Sequence, residues 1–243
     1  YFTFTAIDSG TFTFVGDDLS YSLDNGSTWS TLTNGNSTPT VSANSNILWK
    51  ASLSSTTSTT GIGHFSSSGR FNIEGNTMSL LYGDDFSNQT SLNDIIYTYS
   101  GMFSGNTNVV SAENMILPAT IAKQRCYASM FSGCTSLTTA PLILPATTLE
   151  GGCCYTMFYG CTSLTTAPQI VATTTAANGY FGMFRGCNKL TKAPDLLAPT
   201  LLSGAYRQMF YGCSKLNSIK CLATNISATK NKNCNDNINI SRA

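Results

Sequence analysis

This chain is poor in charge. Asp, Glu, Lys and Arg make up 10% of its 243 residues, against about a quarter in ordinary globular proteins. A surface dense in ion pairs is thereby excluded, and Ser, Thr, Asn and Gly fill the gap, as in many secreted β-rich proteins. Histidine is almost missing. The one present, His64, sits between Gly63 and Phe65 without a Ser/Asp or Cys/Asp arrangement to make it catalytic, so a structural role is expected. No apolar run reaches the roughly 18 residues of a membrane-spanning helix, and no span is expected. Cys-x-x-Cys is absent although there are nine cysteines, so neither a zinc site nor any other metal or cofactor is expected. No basic-then-apolar leader is present either, as expected of a cleaved secretory chain, a processed chain or a trimmed one.

What is there is a repeat. Met130-Phe131-Ser132-Gly133-Cys134 recurs as Met157-Phe158-Tyr159-Gly160-Cys161, Met183-Phe184-Arg185-Gly186-Cys187 and Met209-Phe210-Tyr211-Gly212-Cys213. Met102-Phe103-Ser104-Gly105-Asn106 precedes them with Asn in the Cys place. A fixed period of this size predicts units too small to bury their own apolar faces, stacked on one another. Tyr127, Met130, Phe131 and Cys134 fall at i, i+3, i+4 and i+7, which predicts a helical turn ending at Gly133. Leu137-Thr138-Thr139-Ala140 then reads as a short strand, stopped by Pro141, which has no N–H for a ladder. Pro145-Ala146-Thr147 starts a return segment. The Met, Phe and Tyr stripe is expected in the core, with Phe103, at the end of the array, less tightly held than Phe158. The four repeat cysteines are expected to be small, buried, reduced apolar groups.

Residues 1–90 read differently. Phe2-Thr3-Phe4 and Thr11-Phe12-Thr13-Phe14 alternate, and Asp8-Ser9-Gly10 and Asp24-Asn25-Gly26 are turn signals. Glu74-Gly75-Asn76-Thr77 predicts a hairpin between Phe71-Asn72-Ile73 and Met78-Ser79-Leu80. Short antiparallel strands of this kind predict a β-sandwich. The charge also divides. Residues 1–100 hold Lys50 and Arg70 against eight acids, and residues 101–243 hold eleven bases against four. That makes the second half the better candidate for anionic partners.

Leu-Thr-Thr-Ala-Pro, Pro-Ala-Thr-Thr-Leu and Met-Phe-x-Gly-Cys-Thr-Ser-Leu resemble the BspA-like leucine-rich repeats of bacterial surface proteins, over about residues 100–225. The resemblance implies an extracellular, non-enzymatic recognition or adhesion role and brings no ligand site with it. Ser22-Leu23-Asp24-Asn25-Gly26-Ser27-Thr28-Trp29 resembles the Asp-box of sialidase-type propellers, but it occurs once, and a structural turn is expected. Asp84-Asp85, with Asp94 nearby, reads as a solvated acidic turn rather than a calcium loop.

The expectation is thus a β-rich, two-part protein: an antiparallel β-sandwich over 1–90, then a leucine-rich-repeat solenoid over 91–243 with short parallel strands, helical turns and a C-terminal cap or tail. It would be secreted or at the cell surface and bind a protein or glycan there, forming homo-oligomers or larger assemblies. Nucleic acid is not expected as a partner. The candidate surface is Thr138, Thr139, Thr165, Thr166, Thr191, Lys192, Asn217, Ser218 and Lys220. The alternative is a structural part of an assembly, such as a virion fibre or surface filament.

Overall fold

The computed structural model describes residues 1–51, 61–224 and 239–241. Its helix content is slight, and its strands form a mixed β-sheet and several two-stranded ladders. Alternation in Phe2-Thr3-Phe4-Thr5-Ala6 makes β1 (Phe2–Ala6), whose Phe2, Phe4 and Ala6 are buried while the threonines are partly exposed. β1 sits inside a six-stranded sheet. The order is β4 (Ser30–Leu32), β3 (Leu19–Ser22), β5 (Asn46–Lys50), β1, β7 (Phe71–Asn76), β8 (Val109–Ile116). Pairing is antiparallel except for β7–β8, which is parallel, so the sheet is mixed and continues past residue 90. β2 (Phe12–Gly16) and β6 (Gly63–Ser67) form a separate antiparallel pair. The Phe4 ring meets Phe12 and Phe65 of that pair at centroid distances of 5.3 and 5.0 Å.

The hairpin expected at Glu74–Thr77 does not form. β7 runs to Asn76, and a one-turn helix, α1 (Ser79–Tyr82), follows. Gly75 has φ 73°, and a Cβ there would lie 2.0 Å from the Tyr1 carbonyl oxygen. The glycine serves a close approach of the first residue rather than a chain reversal. The Ser79 hydroxyl accepts the Phe2 N–H and donates to the Trp49 carbonyl, each at 2.8 Å, which ties α1 to the sheet.

In the second half the repeats stack. Phe103 N–H donates to Met130 C=O, Phe131 to Met157, Phe158 to Met183 and Phe184 to Met209, all at 2.8–2.9 Å. The five methionines and the rings beside them therefore form columns. Phe103, Phe131, Phe158, Phe184 and Phe210 stack at 5.4–5.6 Å with interplanar angles of 0–8°.

The helical turn expected at residues 126–134 is not a helix. The N–H groups of Arg125, Tyr127, Ser129, Phe131 and Gly133 donate to the next repeat, at 2.7–3.2 Å. Those of Cys126, Ala128, Met130, Ser132 and Cys134 donate to the carbonyl three residues back. Every fourth residue is left-handed: Arg125 (53°), Ser129 (54°), Gly133 (75°). An α-helix needs negative φ throughout and every N–H bonded four residues back. Here the neighbouring repeat takes alternate N–H groups. The result is a coil of four-residue period, two residues in and two out. In the next repeat Cys153, Cys154, Met157 and Phe158 are buried, while Tyr155, Thr156, Tyr159 and Gly160 face outward. Spacing i, i+3, i+4, i+7 fits a period of four as well as 3.6, so two turns of sequence could not separate them.

Parallel pairing is present in pieces. Single bridges join Ser111, Thr139, Thr166 and Lys192 in series. On the return side, β10 (Ile143–Leu144) pairs with β12 (Gln169–Ile170), and β9 (Ile121–Ala122) with β11 (Thr148–Leu149). β13 (Ser218–Lys220) pairs with β14 (Asn239–Ser241). The rest of the expected C-terminal cap, residues 225–238 and 242–243, lies outside the described residues.

Two seams join sheet and stack. β8 pairs with β7 on one side, and its Ser111 bridges Thr139 on the other. Phe65 of β6 donates its N–H to Met102 C=O at 2.8 Å and stacks its ring on Phe103 at 5.7 Å and 17°. Phe103 is therefore an interior ring, contrary to its expected place at the end of the column. One hydrophobic cluster runs from Phe2 to Ala223.

Candidate recognition surface

The strand segment of each repeat points Leu137, Leu164, Leu190 and Leu216 inward. The two residues after each leucine are both at least partly exposed, as single bridges rather than a continuous strand join these segments. Thr138, Thr165, Thr166, Thr191, Lys192, Asn217, Ser218 and Lys220 are exposed, and Thr139 is partly so. The expected candidates thus lie at the surface on the strand side of the stack, but not all remain free. The hydroxyls of Thr138, Thr165 and Thr191 donate to carbonyls of the preceding rung, Val110, Thr138 and Thr165, at 3.0–3.3 Å. Thr139 hydrogen-bonds Ser111. Lys220 is bound by Asp195 at 2.8 Å.

Beside this row lies a groove of about 570 Å³. Thr166, Lys192, Gln169 and Asp195 supply its polar groups, and Leu142, Pro168, Pro194 and Leu197 its apolar ones. A second groove of about 460 Å³ adjoins it at Leu142 and is mainly apolar, with Ile116, Ile143 and Pro118 in its wall.

The other residues singled out in the sequence have structural partners. His64 Nδ1 is 3.0 Å from the Gly101 carbonyl oxygen. In the Asp-box-like turn, Asp24 accepts the Thr28 hydroxyl and N–H at 2.6 and 2.8 Å and the Ser22 hydroxyl at 2.7 Å. These bonds favour the carboxylate and bring its pKa down to about 2. Trp29 closes the turn by donating to Gly26 C=O. Asp84 accepts from Lys50 and from the Tyr1 hydroxyl, which hold it below the ordinary carboxylate value. Asp94 pairs with Lys123. Among the described residues no three His, Cys, Asp or Glu side chains gather as a metal site, and no helix is long and apolar enough to cross a membrane.

The outward half of the coil gives the excess of basic residues in the second half of the chain an ordered arrangement that charge counting alone does not reveal. At the x of Met-Phe-x-Gly-Cys stand Tyr159, Arg185 and Tyr211. The Arg185 guanidinium lies 5.8 and 5.0 Å from the two ring centroids. Four residues earlier, Tyr155 and Phe181 stack at 4.8 Å and 5°. Arg125 lies over Tyr155 and Tyr97, and Arg207 over Phe181, at 5.2–6.0 Å. Aligning the repeats at the x position would have exposed this ladder, but the helical assignment gave those positions no common face.

No protein-family model, curated protein or solved structure matches the chain.

Proposed function

We propose that the chain is a non-enzymatic recognition module: a leucine-rich-repeat solenoid joined to a β-sandwich, displayed outside the cell, that binds a protein or glycan through its strand-side face. The observation that carries this reading is the row of outward side chains at Thr139, Thr166 and Lys192, held in parallel register by the bridges between rungs. Rung-to-rung bonding keeps that row rigid, so little ordering cost is left for binding. The adjoining groove of about 570 Å³ has the size of ordinary ligand sites and mixes polar with apolar walls. The likeness of the repeats to BspA-like surface proteins supports an adhesive role.

The test is binding of the purified chain to immobilised extracellular-matrix proteins and neutral glycans. Thr166→Arg with Lys192→Ser should weaken the retained interaction by about tenfold or more, equivalent to about 1.4 kcal/mol, without moving the unfolding midpoint. Equal binding by wild type and the double variant would remove recognition from this face.

A further inference from the structure

The coil side of the stack presents a second surface whose chemistry differs from the strand side. Three arginines, Arg125, Arg185 and Arg207, lie over aromatic rings there. Among the described residues none of the three forms an ion pair with a carboxylate. The surrounding sequence explains why. Residues 151–235 contain one acid, Asp195, and it is committed to Lys220. Lys189 and Lys215 stand exposed in the same two repeats as Arg185 and Arg207.

The rings orient the cations. A guanidinium over an aromatic face is held by cation–π attraction and dispersion, so less side-chain freedom is lost when it binds. Arg185 is fixed further by donating from Nη1 to Gln208 Oε1 at 2.7 Å. Its remaining N–H groups have no acceptor among the described residues. A planar fork of free donors matches carboxylate and sulfate oxygens. The three arginines occur in the first, third and fourth Met-Phe-x-Gly-Cys repeats, so they are distributed along the stack rather than gathered around one point.

We propose that this coil-side face binds an acidic polysaccharide, a linear polymer presenting carboxylate or sulfate groups to the three arginines. Nucleic acid and neutral glycans suit it less. Both use open aromatic faces as stacking platforms, whereas Tyr155 and Phe181 cover each other and Arg185 lies over both Tyr159 and Tyr211. The two tyrosines are 43% and 48% exposed, leaving polar edges for sugar hydroxyls. The inference does not rest on the strand-side reading, because the two faces share no residue.

Calorimetric titration of the full chain with a size-defined sulfated uronate–glucosamine hexasaccharide tests it, with cellohexaose and a single-stranded oligothymidylate as comparisons. The hexasaccharide should bind, and more weakly as salt rises. Replacing Arg125, Arg185 and Arg207 together with Gln should weaken it by about tenfold or more. Arg185→Lys, which keeps the charge and loses the fork, should also weaken it. Lys192→Ser on the strand side should leave it within about twofold. If the triple variant does not fold, Arg207→Gln, at an exposed position, decides by a measurable loss. The proposal is overturned if wild type does not bind the hexasaccharide, if the arginine variants bind as wild type does, or if either comparison ligand binds as tightly.

Discussion

At the scale of single residues, the column of cysteines is more than a set of small apolar fillers. Cys134, Cys161, Cys187 and Cys213 each direct Sγ at the carbonyl of a phenylalanine in the preceding rung, Phe103, Phe131, Phe158 and Phe184, at 3.0–3.1 Å. The thiol is a weak donor and adds a second hydrogen bond to a buried carbonyl that already accepts a backbone N–H. Asn106 performs the same task one rung earlier, donating from Nδ2 to Phe65 C=O at 3.2 Å. This accounts for the Asn in the Cys place: the neighbour there is β6 rather than another repeat. Burial pushes the thiols of Cys134 and Cys213 up to about 12. In the unfolded chain they ionise near 8.5. Between those values the unfolded state holds fewer protons than the native one, so stability falls as pH rises, by up to about 1.4 kcal/mol per pH unit for each thiol. Urea midpoints should therefore decline from pH 9 upward. The decline should be shallower in Cys134→Ala/Cys213→Ala, and identical slopes would contradict the assignment.

At the scale of elements, the ring column sets the cost of breaking a rung. Phe158 is fully buried between Phe131 and Phe184. Phe158→Ala should cost roughly 3–5 kcal/mol in urea unfolding, as a buried Phe does. Phe103→Ala should cost at least as much, because Phe103 touches Phe65, Phe2, Phe4 and Phe71 as well as Phe131. Phe210 stacks on Phe184 alone among the described rings, so Phe210→Ala should cost less than either. A smaller loss at Phe103 than at Phe210 would mean that the sheet does not support the stack.

At the scale of the molecule, sheet and stack share one apolar cluster. Arrays of repeats can unfold piecemeal, since each unit contacts only its neighbours. Here β8, which pairs with β7 and bridges Thr139, and Phe65, which stacks on Phe103, couple the first repeat to the sheet. Calorimetry of the whole chain should give one transition for both parts. A fragment of residues 91–243, which lacks Phe65 and β7, should not keep the native far-UV spectrum. Two well-separated transitions, or a fragment as stable as the parent, would show that the parts fold independently.

The sequence by itself determined the β-rich character, the antiparallel pairing within the first 90 residues, the stacking period, the buried Met and Phe columns and the outward strand positions. Each depends on a short-range pattern: alternation, a constant period, or a proline that ends a strand. It did not determine whether the coil is helical, because periods of four and 3.6 coincide over two turns and only the hydrogen bonds to the next rung choose between them. Gly75-Asn76 carries the signature of a turn, and the tertiary approach of Tyr1 decided otherwise. The mixed sheet, Phe65 as a member of the ring column, the neutralisation of Lys220 by Asp195 and the arginines over Tyr159, Tyr211, Tyr155 and Phe181 are likewise decisions of tertiary structure. Each joins residues about 20 or more apart in the chain, where alternation and turn chemistry carry no information; the repeat register can align the arginines with the rings, but packing selects which side chains meet.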